Sequence, residues 1–132
     1  MSGIKQFNFP AFDAAAAHLR EQGWDLVSPA ELDSAEVRDQ ALASPDGKSI
    51  VRENDTAQTW GDFLARDVKL IADGVQAIIL LPGWASSRGA LLETFVGLLS
   101  GKDFYLYDQF DGARRVPKRI IYEMLTTSEK LK

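Results

Sequence analysis

The sequence predicts an α/β domain built on a small doubly wound parallel sheet. Helix-like and strand-like stretches alternate along the chain, in the order helix, strand, helix, helix, strand, helix, strand, helix. Residues 77–81, Ala-Ile-Ile-Leu-Leu, form an unbroken apolar run rich in β-branched side chains, as suits a central parallel strand covered on both faces. That run leads through a Pro-Gly turn and a polar loop into an apolar helix, the strand-loop-helix unit of such folds.

Taken in order, Asn8-Phe9-Pro10 opens a helix that runs to about Gln22. Phe12, Ala15, Ala16 and Leu19 share one face, and Gly23 supplies the stop. Residues 24–28 read as a short strand ended by Pro29. Residues 31–43 hold helix formers, 44–47 a turn, and 48–58 an irregular excursion suited to a flap beside a site. Thr59 or Thr56 can cap the next helix, residues 60–72, whose stripe is Phe63, Leu64, Val68 and Ile71. Arg66 and Asp67 read as its solvated flank. After the central strand and helix, residues 103–107 form another parallel strand, 108–112 a loop, and 118–129 a last helix with Ile120, Ile121, Met124 and Leu125 inward. Arg114, Arg115, Lys118 and Arg119 read as a solvated basic face near that helix start, and His18 as a helix-flank residue rather than a catalytic one.

Composition removes several function classes. The 132 residues are 45% hydrophobic and 26% charged, enough for one globular domain over 1–132 with a core of its own. A net charge of −4 disfavours binding to a nucleic acid polymer through a broad basic surface, because phosphate neutralisation needs excess Lys and Arg. With no cysteine there is no disulfide framework, thiol nucleophile or thiolate metal site, and one histidine is too few for a histidine-rich metal cluster. No metal and no cofactor is expected. No apolar run reaches membrane-spanning length and no secretion signal opens the chain, so a cytoplasmic protein without membrane contact is expected.

The chemistry concentrates in residues 75–101. Pro82-Gly83 ends the strand, and Ser86-Ser87-Arg88-Gly89 opens a helix whose backbone N–H groups and dipole suit a phosphate or another anion. Glu93 is the odd member. A lone acid in the run Ala90-Leu91-Leu92-Glu93-Thr94-Phe95-Val96 is either a solvent-facing position or a buried group that needs a partner or a purpose.

These residues carry a resemblance. Pro82, Gly83, Trp84, Ser87, Gly89, Ala90 and Glu93 resemble the hallmark of the phage and bacterial family described as nucleoside 2-deoxyribosyltransferase-like, and residues 7–32 look like that family's first helix and second strand. The resemblance covers about half the chain and is far more specific than a lone glycine motif. It implies a flavodoxin-like or Rossmann-like fold of the nucleoside deoxyribosyltransferase kind. Family members usually begin with a strand and a glycine-proline-methionine turn. Met1-Ser2-Gly3-Ile4 looks like the tail of that turn, so the chain is expected to lack the family's first central strand.

The resemblance also implies a reaction. Glu93 matches a nucleophile that attacks the anomeric carbon of a deoxynucleoside or deoxynucleotide, after which water or a second base takes the sugar, the two-step logic of retaining glycoside hydrolysis. Ser86, Ser87, Arg88 and Gly89 match the sugar or 5′-phosphate side, with Trp84 beside them. A serine at 87 is closer to the nucleotide N-hydrolases than to the transferases. Where many relatives hold an aspartate before the central strand, near the leaving base, this chain has Gln76, with Asp73 three residues earlier. Gln76 can hydrogen-bond a base but cannot deliver a proton by ionising. The expectation is therefore an N-hydrolase or 2-deoxyribosyltransferase acting on a small nucleoside or nucleotide. The alternative is a catalytically weak nucleotide-binding or sensing protein, ahead of a pure interaction protein. A homodimer or larger oligomer is expected, with Phe95, Leu98 and Leu99 at the contact.

Overall fold

The computed structural model describes residues 9–28 and 59–132. The chain divides into two compact units, Met1–Ala57 and Gln58–Lys132, each described by itself. The expected helix over 31–43, the turn after it, the excursion over 48–58 and the Thr56 cap lie outside the described residues.

In the first unit, helix α1 spans Phe9–Glu21, with Ala15, Ala16 and Leu19 buried. Its end is set by Gly23, whose φ of 93° places it in the left-handed region. The Gly23 N–H donates to Arg20 O at 3.1 Å and the Trp24 N–H to Leu19 O at 3.1 Å, the paired bonds of a Schellman ending. The strand expected over 24–28 does not form among the described residues. At Leu26 the carbonyl takes its hydrogen bond from the Arg20 guanidinium, at 3.0 Å, instead of from a neighbouring strand.

The second unit opens with helix α2, Trp60–Lys69. Thr59 caps it reciprocally: its hydroxyl accepts from the Asp62 N–H at 3.1 Å, and the Asp62 carboxylate accepts from the Thr59 N–H at 2.9 Å. One wider π turn, Leu70–Gly74, carries the chain into strand β1, Ala77–Leu80. A 3-10 turn over Trp84–Ser86 follows, then helix α3, Arg88–Leu99. Strands β2, Asp103–Asp108, and β3, Gly112–Val116, precede helix α4, Lys118–Thr126, and a closing 3-10 turn, Glu129–Leu131.

The three strands lie in the order β1-β2-β3. β1 and β2 are parallel, with Ile78 opposite Phe104 and Leu80 opposite Leu106, as the crossover through α3 requires. β2 and β3 are antiparallel, with Phe104 opposite Val116 and Tyr107 opposite Ala113. The sheet is therefore mixed, where the sequence predicts parallel strands alone. The cause lies in residues 108–112. The Asp108 carboxylate accepts from the Phe110 N–H at 2.6 Å and the Asp111 N–H at 3.3 Å, and Gly112 takes a φ of 84°, so the loop closes as a hairpin. Arg114 and Arg115 are thus strand residues, and Arg115 meets Asp103 across the pair at 3.1 Å. Charged side chains suit such an outer strand.

Leu80, Trp84, Leu91, Phe104, Val116, Ile121 and Leu125 form the core of this unit. Gly97 lets α3 lie close on the sheet. A Cβ there would collide with Ile78 Cδ1 and stand 2.9 Å from Phe104 Cζ. This close packing fixes α3, and with it Glu93, relative to the strands.

Candidate functional site

The site begins where β1 ends. Gly83 adopts a φ of 85°, a conformation costly for any side-chain-bearing residue, and turns the chain into the short helix at Trp84. Trp84 is 4% exposed, and its indole N–H has no hydrogen-bond partner among the described residues. Ser86 is exposed, and Ser87 caps α3 by accepting from the Ala90 N–H at 3.3 Å. Arg88 is exposed and Gly89 half-buried, with the rim of Trp60 3.5 Å from where a Cβ on Gly89 would stand. The polar turn and the helix start are therefore formed, with Ser87 as the N-cap.

Glu93 lies in the second turn of α3 and is half-buried. Beside it Thr94 is buried and folds its hydroxyl back onto Ala90 O at 2.7 Å, so Thr94 offers Glu93 no donor. The partner comes from α2. Burial first, and then the Asp67 carboxylate, which is both a neighbouring negative charge and a hydrogen-bond partner, raise Glu93 from an ordinary 4.5 to about 8. Arg66 opposes the shift more weakly. Its Nε donates to Asp67 Oδ1 at 3.0 Å while its guanidinium lies 5.4 Å above the centre of the Phe63 ring. The result is a pair of adjoining carboxyls in which Glu93 keeps its proton near neutrality, with Arg66 bonded to the Asp67 side.

This corrects the reading of Arg66 and Asp67 as a solvated flank: their side chains are 25% and 13% exposed. The sequence does hold a signal for it. Asp67 stands four residues after Phe63 and three after Leu64, inside the same stripe as Val68 and Ile71, so an acid interrupts an apolar face. Asp73 is engaged elsewhere, paired at the surface with Lys69 at 3.0 Å. Gln76 is exposed, and its carbonyl accepts from the Asp103 N–H at 3.3 Å.

A hollow of about 190 Å³ opens at the carboxyl ends of β1 and β2, between the Pro82-Gly83 turn, Tyr107 and Met124. Glu93 does not line it. No group of three or more His, Cys, Asp or Glu able to hold a metal occurs among the described residues, and no described helix is long and apolar enough to cross a membrane.

Residues 1–104 match a family model described as a domain of unknown function, DUF4406. No curated protein matches the chain, and no solved structure does.

Proposed function

We propose that this chain, which belongs to the DUF4406 family, cleaves the N-glycosidic bond of a small deoxynucleoside or deoxynucleotide, with Glu93 as nucleophile and Asp67 as its proton partner. The doubly wound, nucleoside deoxyribosyltransferase-like form of the α/β fold belongs to the same reading. The observation that carries it is the carboxyl pair itself. Two acids from different helices meet in a half-buried setting, and Glu93 is raised to about 8. Such an arrangement is expensive for stability and typical of acid-base work.

The proton has a defined route. In the resting pair it is on Glu93. Passing it to Asp67 leaves Glu93 as the carboxylate that attacks C1′, and lets Asp67 donate the same proton to the departing base as the C1′–N bond breaks. Water, or a second base, then displaces Glu93 from the sugar, with Asp67 accepting the proton released. Arg66 holds Asp67 in position throughout, through the 3.0 Å bond.

The turn over Ser86, Ser87 and Gly89 supports a phosphate as part of the substrate. The N–H groups at the start of a 12-residue helix, which have no intrahelical acceptor, next to two serine hydroxyls, favour a 5′-monophosphate over its nucleoside by on the order of 1–3 kcal/mol. Exposed Phe95 and Leu99 on α3, with half-buried Leu98 between them, support assembly with a second copy of the chain.

The test is release of free base from a panel of deoxynucleosides and their 5′-monophosphates, with and without a second base as acceptor. Release, faster from the monophosphates, is the expected result. One observation favours a second reading: a protonated Glu93 cannot attack until its proton moves, so a protein unable to move it would hold nucleotides without turning them over. Tight monophosphate binding with no base released would select that binder.

A further inference from the structure

The turn that feeds α3 is tied down from the far end of the chain. Ser128, 7% exposed, donates its hydroxyl to Ala85 O at 2.5 Å across 43 residues, and the same oxygen accepts from the Lys130 N–H at 3.2 Å. A hydroxyl can do both at once. It thereby joins the closing 3-10 turn, Glu129–Leu131, to the 3-10 turn Trp84–Ser86. Other bonds that shape the latter are short-range: Trp84 N–H to Leu81 O at 3.1 Å, Ser86 N–H to Gly83 O at 3.1 Å, and Ser87 N–H to Trp84 O at 3.0 Å. Isolated turns of this kind open readily. Ser128 lies outside the stretch that matches the family model, so this lock is not part of the matched region.

We infer that Ser128 is a positioning residue: its bond to Ala85 O holds the Trp84–Ser86 turn, and so sets the direction of the start of α3, where the function proposed above places a phosphate. The lock is a matter of geometry alone. Its consequence for a nucleotide phosphate rests on the function proposed above. Loss of the hydroxyl leaves the Ala85 carbonyl without this partner and the turn with its local bonds, while the sheet and the α3–β1 packing at Gly97 remain.

The experiment compares the wild type with Ser128→Ala, by amide hydrogen exchange and by calorimetric titration with deoxyadenosine 5′-monophosphate and with deoxyadenosine. Exchange at Trp84, Ser86 and Ser87 is expected to quicken about tenfold, the effect of losing one net hydrogen bond, with amides of β1 and β2 unchanged. The preference for the monophosphate is expected to shrink while nucleoside affinity holds. Ser128→Thr, whose extra methyl can enter the adjoining groove of about 280 Å³, restores both. Should Ser128→Ala fail to fold, Ser128→Cys, with a weaker donor of similar size, gives the same pattern at smaller amplitude. Unchanged or uniformly faster exchange overturns the lock, and a loosened turn with full phosphate preference overturns the positioning role. A wild type that binds neither ligand refutes the nucleotide reading instead, and the exchange result still decides the lock.

Discussion

Glu93 on α3 and Asp67 on α2 bring their carboxyls into hydrogen-bonding contact, although the two acids stand 26 positions apart in the sequence. Arg66 joins them through its 3.0 Å bond to Asp67.

Stability should therefore fall as pH rises. Glu93 holds its proton in the folded protein up to about pH 8, whereas in the unfolded chain it loses it near 4.5. Between those values the folded state binds the extra proton, so raising the pH favours unfolding. The stabilisation is complete below 4.5 and is lost progressively up to about 8, by on the order of 1–3 kcal/mol after allowance for partial exposure. Denaturant titrations at pH 5 and pH 8 check this. Glu93→Gln, which cannot ionise, should flatten the dependence and be the more stable protein at pH 8; an unaltered slope in that variant would show that another group is responsible.

Asp67→Asn separates the two carboxyls. Without the neighbouring charge Glu93 should ionise at a lower pH, visible as a shift of its side-chain carboxyl resonance in an NMR titration. The proton for the leaving base is then missing, and base release should drop about 10²-fold to 10⁴-fold with little change in KM. Wild-type kcat in the Asp67→Asn protein would remove Asp67 from the reaction.

Gly97→Ala tests how closely α3 must lie on the sheet. The added methyl meets Ile78 and Phe104 well inside contact distance, so the helix must shift or the core must strain, at a cost of about 1–3 kcal/mol. Melting of the variant at or above the wild-type temperature would mean that the helix rides on the sheet more loosely than this.

The elements legible in the sequence are those with strong local signals. The Pro82-Gly83 turn, the polar opening of α3 over Ser86 to Gly89 and the Thr59 cap all form where residue chemistry puts them. β3 is hidden because Gly112 to Val116 has no apolar alternation; its pairing follows from the Asp108 turn and from β2 alongside it. The carboxyl pair is half visible. Glu93 stands out as an acid in an apolar helix, but Asp67 next to Arg66 reads equally well as an exposed ion pair. Only the approach of α2 to α3 decides between the two, and a contact between helices separated by a strand has no local signature.

The most direct test of the central claim is base release by Glu93→Gln, measured beside the wild type on the deoxynucleoside 5′-monophosphate that the wild type turns over best. Gln keeps the size and hydrogen-bonding shape of the acid but cannot supply the attacking anion. The account predicts a loss of activity by orders of magnitude, with ligand affinity by calorimetry little changed and the variant fully folded. Turnover that survives the substitution at a comparable rate would contradict it.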